Sequence, residues 1–171
     1  MILSATALDL ARATLGVHEQ GGNNRGPQID AWESRFGLVG LPWCAMWAWC
    51  MFDDAAKKCG LVNPMPKTAS TQRVWAMSDP ICRLEPGSPP TPGAVFVLRH
   101  TASSGHVGIC QSVDADGVPT CISGNTFADA RGGREGNCVA RHTGDPVAVH
   151  GGELLGWLNF DLAAQSPNVV T

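Results

Sequence analysis

Pro42-Trp43-Cys44-Ala45-Met46-Trp47-Ala48-Trp49-Cys50-Met51-Phe52 is an apolar run opened by a proline. Proline suits a helix start, because its fixed φ matches the first turn and the N–H it lacks would have no partner there. The run continues to Lys57-Lys58 and stops near Gly60, a basic last turn followed by the residue that most easily ends a helix. The pattern predicts a helix over residues 43–58 that is apolar nearly all round and is therefore the central, buried one.

On the N-terminal side, Ala7, Leu8, Ala11 and Leu15, with Leu10 beside them, approximate helical spacing over residues 4–16, and Gly16 ends the pattern. Turn formers crowd Gly21 to Pro27, and a second helical pattern runs from Gln28 to Phe36 through Ile29 and Trp32. On the C-terminal side, a proline-rich connection between Asn63 and Pro92 holds one expected helix, Ser70 to Met77. After Pro92-Gly93 the period changes to two. Residues Ala94–Leu98, His106–Val113, Pro119–Ser123, Cys138–Arg141 and Leu155–Phe160 read as strands, with a hairpin turn at Asp116-Gly117. Helices first and an antiparallel sheet afterwards make an α+β protein.

The 171 residues fit one domain, expected over 1–162 with a polar tail at 163–171. A hydrophobic fraction of 44% beside 16% charged residues excludes wholesale disorder, and 20 glycines with 12 prolines point to short elements and many loops. The net charge of −3 and the lack of any Lys/Arg run exclude nucleic acid as a partner. No stretch reaches the roughly 20 apolar residues of a membrane span. Met1 to Arg12 does not read as a signal peptide, so the product is expected to begin in the cytoplasm. Seven cysteines, an odd number without CxxC spacing, leave two readings for the six other than Cys44: small buried fillers, or disulfides suited to work outside the cytoplasm.

Cys44 stands where the unpaired N–H groups and dipole of a helix start favour a thiolate. Position alone does not separate a nucleophile from one more buried small residue, so a partner must decide. Of His18, His100, His106, His142 and His150, only His106 begins a strand directly after a flexible loop, Thr101 to Gly105. With period two, His106, Gly108 and Cys110 share one face and Val107 and Ile109 the other, so a core-facing Val/Ile pair leaves His106 toward a cleft. A third group is needed to hold the imidazole in its useful tautomer. Asn125 is the candidate. The alternative is that it closes a turn after Gly124.

Pro42-Trp43-Cys44-Ala45, Pro92-Gly93-Ala94-Val95, Gly105-His106-Val107-Gly108-Ile109 and Gly124-Asn125, in that order, resemble the CHAP family, the cysteine, histidine-dependent amidohydrolases/peptidases of the papain-like NlpC-related clan. Gly16-Val-His-Glu19 and Asn24-Arg-Gly-Pro27 are similar to the leading segment of many phage and bacterial members. The resemblance covers roughly residues 5–160. It implies a helix carrying Cys44 packed on a five- or six-stranded antiparallel sheet carrying His106. Cys44 would attack a peptide carbonyl, with His106 as general base and the oxyanion near the backbone N–H of Cys44, and no cofactor or metal would be needed. Where many members have an acidic residue two positions before the asparagine, this chain has Ser123. Where calcium-binding members cluster aspartates, it has Phe36 to Leu41, so a calcium site is not supported.

Glu19, Trp43 and Ser123 complete the candidate site as substrate-binding residues. Glu19 either lines the cleft or salt-bridges Arg25, and Trp43 walls the groove, while Trp47 and Trp49 pack the core. The implied function is peptidoglycan amide cleavage by a monomer, in the setting of a phage endolysin released by a holin. Two alternatives stand beside it: an antibacterial amidase effector with an immunity protein as partner, and an inactive CHAP-like module that grips peptidoglycan without cutting. A thiol-rich metal or redox protein is disfavoured by the missing CxxC spacing. The central expectation is spatial: the Cys44 thiol and the His106 imidazole meet.

Overall fold

The computed structural model describes residues 3–129 and 136–164. Four helices come first: α1 (Leu3–Ala13), α2 (Pro27–Ser34), α3 (Cys44–Cys59) and α4 (Thr71–Met77), followed by a 3-10 turn at Pro80–Cys82. The strands are β1 (Val95–Arg99), β2 (Gly105–Val113), β3 (Pro119–Thr126), β4 (Cys138–Thr143) and β5 (Glu153–Leu158), with α5 (Pro146–His150) before β5 and α6 (Asp161–Ala164) after it. All five strands pair antiparallel in the order β4-β3-β2-β1-β5. The chain is therefore α+β, with the helix-then-sheet layout that the sequence pattern predicts.

The central helix forms as expected. Nine consecutive residues, Cys44 to Phe52, are buried together with Ala55 and Ala56. Its C-terminus is closed by Gly60 at φ 68, a left-handed conformation that glycine adopts without penalty. The hairpin turn also forms, with the Gly117 N–H donating to the Asp114 carbonyl and the Asp114 N–H to the Val118 carbonyl.

Alternation divides the sheet into two faces. Val95 and Val97 of β1, Val107 and Ile109 of β2, Ile122 of β3 and Leu158 of β5 join α1 and α3 in the larger core. Phe96, Leu98, Cys110, Cys121 and Trp157 point the other way into a second, smaller core, against which Val147 of α5 packs. The strand pattern does not predict that second layer. Its signal is Asp145-Pro146: the Asp145 carboxylate accepts from the Val147 and Ala148 N–H groups, capping a proline-started turn of helix. At the C-terminus, the boundary expected between 162 and 163 falls inside α6, whose Ala163 is buried, and residues 165–171 of the expected tail lie outside the described residues.

Trp43 and Trp47 press directly onto the sheet at Gly124. A Cβ there would lie 2.6 Å from the Trp43 ring and 2.9 Å from the Trp47 ring, inside any van der Waals contact between heavy atoms. Gly124→Ala is therefore expected to destabilise the fold by about 1–3 kcal/mol through overpacking, read as a lower urea midpoint at unchanged slope.

Candidate active site

The loop leading into α3 is held from beneath by a buried acid. The Glu33 carboxylate, fully buried, accepts from the Gly40 N–H at 2.8 Å and the Leu41 N–H at 2.7 Å. This fixes the chain just before Pro42-Trp43-Cys44. The sequence gives no local signal for Glu33, because its partners are seven and eight residues away and carry no side-chain chemistry of their own.

Trp43 ends the loop as the N-cap residue of α3, without a side-chain cap. Its indole N–H donates to Glu19 Oε1 at 3.1 Å, and its ring lies 5.6 Å from that of Trp32. Two expectations are corrected here. Trp43 is fully buried and packs the core rather than walling a groove. Glu19 does not pair with Arg25, which forms a two-pronged ion pair with Asp30 at 2.9 and 3.0 Å. Glu19 is instead the acceptor that makes burial of the Trp43 indole N–H tolerable.

Cys44 follows at the first helical position, 4% exposed, on the wall of a pocket of about 310 Å³ shared with Pro42, Ser70, Thr71, Ser103 and Ser104. Burial pushes the thiol up to about 11, against the pull of the Val107, Ala45 and Cys44 backbone N–H groups that face the sulfur. The expected activation by the helix start is therefore outweighed by desolvation, and the group is a neutral thiol at pH 7.

His106 does not join it. The peptide of Val107 lies against the Cys44 sulfur, and the Val107 side chain belongs to the core that contains α3. Strand alternation then sends the neighbouring His106 to the opposite face. The expectation of a core-facing Val/Ile pair is correct, but the core they face is the one around Cys44, so the inference that His106 thereby turns to the cysteine fails. The imidazole is fully buried between Phe96, with ring centres 5.9 Å apart, and His150, 4.5 Å apart. Among the described residues, neither ring nitrogen has a hydrogen-bond partner. Burial, then the proximity of His150, His100 and His142, holds its pKa well below the usual histidine range.

Asn125 is fully buried at φ 55, a left-handed conformation that asparagine tolerates better than most residues. Its backbone carbonyl accepts from the Gly136 N–H at 3.2 Å. Among the described residues neither amide atom has a partner, and the side chain makes no hydrogen bond to His106. The regular β2–β3 ladder has its last pair on this side at Ile109↔Ile122, short of the positions where His106 and Asn125 would face each other. Ser123 is buried, on the opposite side of β3 from the α3-facing Ile122 and Gly124, and offers no surface to a substrate at the Cys44 pocket.

Sequence reasoning missed the cluster that His106 does enter. His100 reaches the His150 carbonyl through Nε2 at 3.2 Å, and the His142 and His150 rings stand 5.3 Å apart. Among the described residues, no three His, Cys, Asp or Glu side chains converge so as to hold a metal ion.

A family model described as CHAP domain matches residues 37–125, just over half of the chain and the whole span from Cys44 to Asn125. The chain belongs to the CHAP domain family. Membership places it among cysteine, histidine amidohydrolases and implies peptidoglycan as substrate, with amidase or peptidase activity in general. No curated protein and no solved structure matches the chain.

Removing the acceptor of the Glu33 clamp strands two backbone N–H groups. Glu33→Ala is expected to cost about 2–5 kcal/mol, with Glu33→Gln retaining part of it, as read by urea unfolding. The histidine cluster makes stability depend on pH. Burial and then the nearby His142 and His100 lower His150 to about 4, against 6.5 ordinarily. Between those values the unfolded chain binds a proton that the folded chain refuses, so stability is full above pH 6.5 and falls as pH drops toward 4. The loss from His150 alone is about 3 kcal/mol, and His106, whose pKa is lowered in the same direction by burial, adds to it. Urea midpoints measured across this range should slope accordingly, and His150→Phe should flatten the slope.

Proposed function

We propose that this chain is a peptidoglycan hydrolase that cleaves an amide bond of the cell-wall peptide with Cys44 as nucleophile. The observation that carries the reading is the position of Cys44, at the first turn of α3 and on the wall of a pocket, within the segment that matches the family model. The first N–H groups of α3 have no partners within the helix and offer donors for the oxyanion formed when the thiolate attacks a carbonyl. Attack forms the carbon–sulfur bond, collapse expels the amine, and water then releases the acyl group and regenerates the thiol.

His106 as the base that takes the Cys44 proton, and Asn125 as the residue that orients it, belong to the same proposal. They require an arrangement other than the one described, in which the first residues of β2 turn the imidazole to the α3 side. The hydroxyls of Ser70, Thr71, Ser103 and Ser104 around the pocket are no substitute, since none is a base at neutral pH. A phage endolysin acting as a monomer at the cell wall after release by a holin is the setting that fits the sequence best. The separation of Cys44 from His106 favours one second reading, a module that binds peptidoglycan without cutting it.

Digestion of purified peptidoglycan followed by mass spectrometry tests both. Wild type is expected to release fragments with new amine termini, and Cys44→Ala and His106→Ala, both folded by circular dichroism, to lose release by at least ~100-fold. Full release by Cys44→Ala would end the nucleophile assignment. Sedimentation of wild type with peptidoglycan, without release at any pH, would establish the binding module. The pH dependence of Cys44 alkylation by iodoacetamide separates the two arrangements: an inflection near 11 belongs to the isolated buried thiol, and one below 7 to a thiolate–imidazolium pair.

A further inference from the structure

We propose that Cys110 and Cys121 join in a cross-strand disulfide when the chain folds in the presence of an oxidising disulfide. The two are direct partners in the β2–β3 ladder, and both side chains enter the second core. The backbone hydrogen bonds of Cys110 go to the other neighbour: its N–H donates to the Ala94 carbonyl and its carbonyl accepts from the Gly93 N–H, both at 2.7 Å. Toward β3, Cys110 and Cys121 therefore form a non-hydrogen-bonded pair, the type in which facing side chains approach most closely. Cα atoms lie about 4.5 Å apart in such pairs, inside the range of about 4.4–6.8 Å that a disulfide spans. The thiols also sense each other. A hydrogen bond from Cys121 lowers the pKa of Cys110, and the same contact raises that of Cys121.

The bond closes a short loop around the Asp114–Val118 turn, so the two sulfurs meet as soon as the hairpin forms. In the finished fold Cys110 is sealed and Cys121 only 4% exposed, so the exchange belongs to the folding chain. One cysteine thiolate attacks a sulfur of oxidised glutathione, forming a mixed disulfide and expelling one glutathione thiolate. The second cysteine thiolate then attacks the protein sulfur of that mixed disulfide, which forms the Cys110–Cys121 bond and releases the second glutathione. Two protein thiols lose two protons and two electrons, and one glutathione disulfide becomes two thiols. The finished bond pins the β2–β3 register on which the positions of His106 and Asn125 depend. It is also shielded from reductant.

The test is to unfold reduced full-length protein in urea, refold it with excess oxidised or excess reduced glutathione, and map alkylated, non-reduced digests by mass spectrometry. The oxidised sample is expected to contain a peptide linking Cys110 to Cys121, to lose two of the seven thiols, and to melt several degrees above the reduced sample. Cys110→Ser or Cys121→Ser should each abolish the linkage, whereas Cys59→Ser should leave it intact. Recovery of Cys110 and Cys121 both alkylated, or linked to other cysteines, from wild type refolded with oxidised glutathione overturns the proposal without recourse to the variants. The readout is thiol chemistry and does not depend on whether the chain cuts peptidoglycan.

Discussion

The packing of α3 against β2 and β3 organises this molecule, and strand alternation turns that packing into a constraint on chemistry. A helix apolar on nearly every side needs cover all round, and α1, α2 and the larger face of the sheet supply it. Once Val107 and Ile109 are committed to that face, every neighbouring side chain on β2 is committed to the other. Gly124 allows Trp43 and Trp47 to come down onto β3, and Glu33 fixes the loop from which α3 starts.

Burial and reactivity oppose each other at the same place. The helix start and three backbone N–H groups favour a Cys44 thiolate, yet water is so largely excluded that the neutral thiol prevails. On the far side of β2, His106 is held neutral by the same cause, and three other histidines add to it. Two groups that each prefer to be uncharged, on opposite faces of one strand, describe a stable interior more directly than a working pair.

Much of the fold is legible in local pattern, because local pattern reports what each segment must bury. The apolar run after Pro42, the glycine stop at Gly60 and the change to period two after Pro92-Gly93 each mark an element that forms within a residue or two of its expected bounds. The short α5 is missed because its Asp145-Pro146 cap is followed by too few residues for any periodicity. The site is less legible. Glu19 and Trp43 do meet, but as an acceptor and a buried indole rather than as groove residues.

The sequence by itself determined the family, the order of helices and strands, and which side chains share a face, since each depends on residue types at fixed short spacings. Which face of the sheet meets which helix was decided only in the tertiary structure. That choice depends on the total apolar area each face can bury and on what α5 brings to the other side. Both are sums over segments far apart in the chain, and no spacing near Cys44 or His106 records them.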